Sequence, residues 1–161
     1  MFEAHDGSPG ETSKGIWYFA YGSNTRSSVM KGRGIAPLRA LPVVVPSYIL
    51  CFDIFGIPYA EPAFASIVPA PSNAPTGEIK GQDIPPVHGV AYLLTPEDYR
   101  RLVLTEGAGV GYNEISVRAR VLNSEFTQEE EIVTYTLQAK YPWRPNRAPS
   151  QRYMVRSLPP S

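Results

Sequence analysis

Two positions in this sequence hold residue types from which a reactive site can be built. The first is Gly22-Ser23-Asn24, reached by the run Trp17-Tyr18-Phe19-Ala20-Tyr21, with no charge between Lys14 and Arg26. An apolar run of this length bounded by turn formers reads as a buried strand. A strand ending on small residues leaves backbone N–H groups at a fixed point, where an anion such as a carboxylate can bind. Taken alone, the three residues read first as a plain strand-ending turn. The second position is Glu106. Tyr99, Leu102, Val103 and Glu106 are spaced i, i+3, i+4 and i+7, one face of a helix, and Gly107 follows as a stop. A carboxylate on the inward face of a last turn opposes the helix dipole, so it needs a partner, or a raised pKa with a use for it. The bland alternative is a frayed end with Glu106 turned to solvent.

Other chemistries find little support. Cys51 is the only cysteine and lies in the apolar stretch Ile49-Leu50-Cys51-Phe52, which reads as a core thiol. His5 and His88 are the only histidines, and neither has a carboxylate or thiol at metal-ligand spacing. The sequence around Ser23 lacks the Gly-x-Ser-x-Gly elbow, and there is no phosphate-binding loop. Gly107-Ala108-Gly109-Val110-Gly111 follows a helix, where a dinucleotide fingerprint must follow a strand. Lys31, Arg33 and Arg39 form a diffuse basic cluster that reads as solvated surface.

These residues must be positioned by a small scaffold. At 161 residues the chain is sized for one domain, and its 15 acidic and 15 basic residues create no field that would draw it to nucleic acid or a membrane. One cysteine rules out an internal disulfide framework, and no signal pattern or transmembrane-length run is present, so a soluble, cytoplasmic protein is expected. Residues 1–15 are expected to be a disordered leader and 16–161 a single domain.

After the opening strand, Thr25 to Lys31 can make one or two helical turns ended by Gly32 and Gly34. Leu41 to Asp53 is rich in Val, Ile and Phe but interrupted by Pro42 and Pro46, which predicts a bent or edge strand. Phe64 to Val68 is a short strand, Pro69 to Pro86 a proline-rich loop, and Val87 to Leu94 a strand. Thr95 suits the N-cap and Pro96 the first position of the helix that ends near Glu106. Tyr112 to Leu122 alternates, with Ile115, Val117, Ala119 and Val121 on one face and Glu114, Ser116, Arg118 and Arg120 on the other. An acidic connection, Glu125 to Glu131, leads to a last strand, Ile132 to Ala139, and the tail from Tyr141 shows no clear element. Five or six strands with one good helix fit a small, mostly antiparallel barrel or curled sheet with a helix packed on it, an α+β fold.

Tyr18-Phe19-Ala20-Tyr21-Gly22-Ser23-Asn24 resembles the substrate-loop signature of the gamma-glutamylcyclotransferase family. Further matches follow in the family's order: Phe64-Ala65-Ser66-Ile67, His88-Gly89-Val90-Ala91-Tyr92, Glu106-Gly107, Tyr112 with its strand, and Pro149-Ser150-Gln151-Arg152-Tyr153. The resemblance spans roughly residues 16 to 155. It implies a small mixed barrel with flanking helices, and a reaction in which the α-amine of a γ-glutamyl group attacks its own γ-carbonyl, closing 5-oxoproline and releasing the next amine. It further implies Glu106 as the catalytic acid and base, with Tyr21, Gly22, Ser23, Asn24 and Tyr112 binding substrate. The backbone N–H groups of Gly22, Ser23 and Asn24 would take the substrate carboxylate or the developing oxyanion. No cofactor or metal is expected, because the substrate brings its own nucleophile.

The sequence departs from the family in places. Thr25 and Arg26 stand where many members have an apolar and a less charged residue, and the loop from Pro69 to Pro86 is long. The expected partner is a small γ-glutamyl molecule: a γ-glutamyl amino acid, glutathione, or a glutathione conjugate of the kind met in fungal sulfur-containing secondary metabolism, whose family members share long loops. A homodimer is left open. Two other classes also remain open, a non-catalytic binding module on the same barrel and a hydrolase using Ser23 as nucleophile.

Overall fold

The computed structural model describes residues 15–57, 61–70, 78–79, 82–83, 85–106, 111–122 and 130–142, together with Gln151. The expected leader (apart from Gly15), the motif Pro149–Tyr153 apart from Gln151, most of the proline-rich loop and Gly107 lie outside these residues. The central strand is β1 (Ile16–Ala20), the apolar run recognised in the sequence. It is flanked by β6 (Pro86–Leu94), antiparallel with Phe19 opposite Ala91, and by β8 (Glu131–Ala139), parallel through Tyr18 and Tyr135. β8 pairs antiparallel with β7 (Tyr112–Val121), and β6 with β2 (Arg39–Ile57). Val43 and Val44 of β2 then pair with Val121 and Arg120 of β7, which closes β2-β6-β1-β8-β7 into a five-stranded barrel. β3 (Glu61–Pro69) adds to the outer side of β2. This is the mixed, mostly antiparallel α+β barrel expected. Within the proline-rich loop, β4 (Glu78–Ile79) and β5 (Gln82–Asp83) form a small hairpin where no strand was foreseen.

The larger correction concerns β2. The prolines suggested a bent or edge strand; the strand does shift register, but it is no edge, running 19 residues and pairing with three others. It tolerates them for local reasons. The pairing with β7 begins only at Val43, and Pro42 contributes its carbonyl, which accepts from Leu122 N–H at 2.8 Å. Pro46 falls inside a register shift between Val45 and Ile49, where no ladder donor is required.

Alternation in β1 divides the core in two. Phe19 joins Val43, Val45, Ile67, Val87, Ala91, Val117 and Ala119 inside the barrel. Tyr18 and Ala20 face outward and pack with Met30, Ile35, Tyr92, Leu94, Tyr99 and Leu102, under the helices. The outer layer is α1 (Ser27–Gly32) and α2 (Pro96–Thr105). α2 starts as its sequence dictates: Thr95 caps it, its hydroxyl accepting from Asp98 N–H at 3.1 Å, and Pro96 opens the first turn. β8 reverses the usual pattern. Thr134 and Thr136 are buried while Val133 and Tyr135 are exposed. The buried hydroxyls stay satisfied by donating to Val117 O (3.3 Å) and Phe19 O (2.7 Å).

Gly89 on β6 is where β1 comes closest. A Cβ there would collide with the carbonyl oxygen of Ala20 and meet the Phe19 ring at 2.7 Å. Backbone cannot yield as a flexible side chain does, and overpacking a tight core costs about 1–3 kcal/mol. Gly89→Ala is therefore expected to lower the melting temperature by roughly 2–4 °C for each kcal/mol lost. Calorimetry showing an unchanged midpoint would mean that β1 and β6 separate more easily than their register implies.

Candidate functional site

β1 ends at the rim of the barrel, and the chain turns through Gly22 into a short 3-10 turn, Ser23–Thr25. Gly22 adopts φ −114°, which is not the left-handed backbone that favours glycine. Several bonds hold the turn. Thr25 donates to Gly22 O through both its N–H (3.1 Å) and its hydroxyl (2.9 Å). Tyr92 OH donates to Thr25 O at 2.8 Å. Buried Asn24 donates through Nδ2 to the Tyr18 hydroxyl at 3.4 Å, and its Oδ1 has no partner among the described residues. Thr25, which departs from the family pattern, is thus a closure of the turn.

The turn opens on a cavity of about 320 Å³ lined by Tyr18, Tyr21, Gly22, Ser23, Asn24, Phe64, Ala65, Glu106, Tyr112 and Leu137. All six residues singled out from the sequence line it: Tyr21, Gly22, Ser23, Asn24, Glu106 and Tyr112. They arrive from four places in the chain: the end of β1, the turn, the C-cap of α2 and the start of β7. β3 supplies Phe64 and Ala65, because it is tied to β8 by Gln138 Nε2 donating to Ile67 O (3.0 Å) and Ala139 N–H donating to Ser66 Oγ (3.0 Å). Tyr21 OH reaches across to Leu137 O at 2.5 Å.

Glu106 is the C-cap of α2, and its N–H still bonds Leu102 O at 3.1 Å. The frayed, solvent-facing alternative is not what forms: the side chain is only 21 % exposed and is ion-paired to Arg33. Arg33 Nη1 bonds Glu106 Oε1 and lies 3.3 Å from Thr105 Oγ1. The guanidinium thus places positive charge at the helix C-terminus, where the dipole favours it and where Glu106 alone would be unfavourable. Reading Arg33 as solvated surface was therefore incorrect. Arg39 is also engaged, its guanidinium 5.9 Å from the Trp17 ring centre.

Ser23 lines the cavity, but among the described residues no histidine does. His88 is exposed on β6, with its ring Nδ1 3.0 Å from Pro86 O. Among the described residues no group of three or more His, Cys, Asp or Glu is placed to hold a metal ion.

The chain is 45% identical over 150 residues to the gamma-glutamyl cyclotransferase verK of Clonostachys rogersoniana, covering 89% of this chain and 83% of that protein. The chain belongs to the gamma-glutamyl cyclotransferase family. Identity is 54% over 147 residues with the family member gliK of Aspergillus fumigatus, covering 87% of this chain and 54% of that one. The chain thus spans about half the length of that relative and of aclK from Aspergillus oryzae, to which it is 39% identical over 145 residues. No protein-family model matches the chain. The fold recurs in a solved gamma-glutamyl cyclotransferase structure at TM-score 0.63 and 20% identity, covering 88% of this chain and 75% of that one. It recurs too in a yeast cyclotransferase described as specific to glutathione, at TM-score 0.55 and 18% identity, covering 78% and 69%.

Within this cyclotransferase-family cavity, sequence reasoning missed Tyr18, Phe64, Ala65, Leu137 and, behind Glu106, Arg33. Signals existed for three of them: strict alternation puts Tyr18 on the face of β1 that packs against the Glu106 helix, and Phe64 and Ala65 lie in a stretch that matches the family's order.

Burial pushes the hydroxyls of Tyr18, Tyr92 and Tyr99 above their ordinary value of 10.0. For Tyr18 the hydrogen bond from Asn24 opposes the shift and the Glu106 charge adds to it. For Tyr99 the hydrogen bond to Glu114 Oε2, at 2.5 Å, adds to it. With the folded values raised, the folded chain holds protons that the unfolded chain releases. The stability they contribute is fully present below pH 10.0 and is lost as pH rises from there through the folded values. Urea midpoints should therefore fall from about pH 10 upward, and Tyr99→Phe should flatten that fall. Midpoints constant to about pH 11 would contradict the burial of these hydroxyls.

Proposed function

We propose that the protein is a γ-glutamyl cyclotransferase that releases 5-oxoproline from a γ-glutamyl amide by intramolecular aminolysis. One observation carries this reading: Glu106, from the end of α2, lines the same cavity as the Gly22-Ser23-Asn24 turn at the end of β1. The chemistry needs those two parts. An α-ammonium must lose a proton before it can attack, and the departing amine must gain one. A single carboxylate can take the first proton and return it to the second nitrogen, help worth about 10²–10⁴-fold. The new bond joins the α-nitrogen to the carbonyl carbon of the γ-carboxyl group, and that carbon's bond to the leaving nitrogen breaks. The Gly22–Asn24 turn holds the substrate's carboxylate, or the oxygen that gains charge as the ring closes. Tyr21, Phe64 and Tyr112 give the cavity aromatic walls around the glutamyl chain.

Family membership supports the reaction class. The yeast structural neighbour's description as specific to glutathione supports glutathione, or a γ-glutamyl amide carrying a larger leaving amine, as the class of substrate to test first. The test is incubation with a panel of γ-glutamyl amino acids, glutathione and S-substituted glutathiones, followed by chromatography of the products. 5-Oxoproline and free amine in equal amounts are expected from at least one of them. Release of glutamate instead would favour a hydrolase built on Ser23, and tight binding without turnover would favour a binding module.

A further inference from the structure

We infer that Arg33 is a positioning residue for Glu106, holding one carboxylate oxygen from outside the cavity so that the other is presented to the substrate amine. The inference rests on the cyclotransferase reading of the site and concerns a side chain that does not itself line the cavity. Glu106 lines it, and its Oε1 is engaged by Arg33, while among the described residues no hydrogen bond occupies Oε2. The two residues are 73 apart in sequence, so the fold itself has to bring them together.

The way Arg33 is delivered argues for a fixed post. Arg33 follows α1 immediately, and its N–H bonds Met30 O at 3.0 Å. Gly34 then takes φ +69°, a conformation other residues rarely adopt, and its N–H bonds Lys31 O at 2.9 Å. Ile35 N–H returns to Met30 O at 3.0 Å. Met30 and Ile35 are fully buried in the same cluster as Tyr99 and Leu102 of α2. Arg101 of α2 donates to Gly34 O at 3.1 Å, locking the arginine's loop to the helix that carries Glu106. Both partners of the ion pair are therefore set by one core. A glutamate alone would move over several rotamers, and holding it in one of them carries an entropic cost. Proton transfer needs the carboxylate in one place, and a displacement of about 1 Å in such a site can cost about 10²-fold.

The test compares Arg33→Ala, Arg33→Lys and the wild-type chain on whichever γ-glutamyl substrate is turned over, with melting temperatures measured alongside. Arg33→Ala should lose about 10²-fold in kcat with KM changed by less than about threefold. Arg33→Lys should recover part of the loss, and guanidinium ion added to Arg33→Ala should recover part of it too. In a Glu106→Gln background, Arg33→Ala should cause no further fall, because the group it positions is already gone. Should Arg33→Ala not fold, Arg33→Gln carries the same measurement. A kcat within twofold of wild type overturns the role, whatever happens to the melting temperature. A rise in KM with kcat unchanged overturns it as well, and would make Arg33 a direct contact for the substrate carboxylate. Both results leave the cyclotransferase reading standing. Absence of turnover by the wild type removes that reading, and the positioning role with it.

Discussion

Glu106→Gln should give a folded protein that binds its γ-glutamyl substrate and turns it over about 10²–10⁴-fold more slowly. Glutamine keeps the shape of the side chain and an oxygen for Arg33, but it can neither accept the ammonium proton nor return one to the leaving amine. The stability cost should be small. The ion pair is partly exposed, at 27 % and 21 % for the two side chains, and pairs near solvent contribute about 0–1 kcal/mol. A fall of no more than roughly 2–4 °C in melting temperature is expected for a chain of this size. Steady-state rates with a binding measurement by calorimetry check the pair of expectations. Activity within tenfold of wild type would remove Glu106 from the reaction.

A γ-glutamyl compound acetylated on its α-amine should give no product, whatever the leaving amine. Acetylation ties up the nitrogen lone pair in an amide, so the nucleophile that closes the five-membered ring is gone. Holding a free amine beside the γ-carbonyl makes the attack unimolecular, with effective molarities of about 10⁵–10⁸ M for well-oriented groups. The cavity supplies nothing of comparable power in its place: Ser23 lines it, but no histidine does among the described residues. Chromatography of the free and acetylated compounds side by side gives the answer. Free or N-acetylated glutamate from the acetylated compound would establish hydrolysis and overturn cyclisation.

The parts of this protein written in local order were legible beforehand. The uncharged run ending at Tyr21 gave β1, Thr95 and Pro96 gave the start of α2, and the spacing from Tyr99 to Glu106 placed a carboxylate on the inward side. Alternation from Tyr112 onward gave β7 and its two faces. Each of these rests on the period of a strand or helix, or on a cap within one turn, so a short stretch of sequence contains the whole cause. β2 was only half legible, because its prolines argue locally against pairing that a register shift and a late start of the β7 ladder make compatible.

Other features were decided only by tertiary structure. Barrel closure depends on Val43 meeting Val121, and the cavity on β3 being drawn to β8 through Gln138 and Ser66. β8 buries Thr134 and Thr136 because carbonyls of β7 and β1 lie within reach of their hydroxyls, against what its residue types suggest. Arg33 looked like one of several surface cations until the turn at Gly34 and the burial of Met30 and Ile35 brought it to Glu106. Periodicity fixes which way a side chain points from its own element. It carries no information about which distant element will stand opposite, since that follows from how all the apolar faces are buried at once.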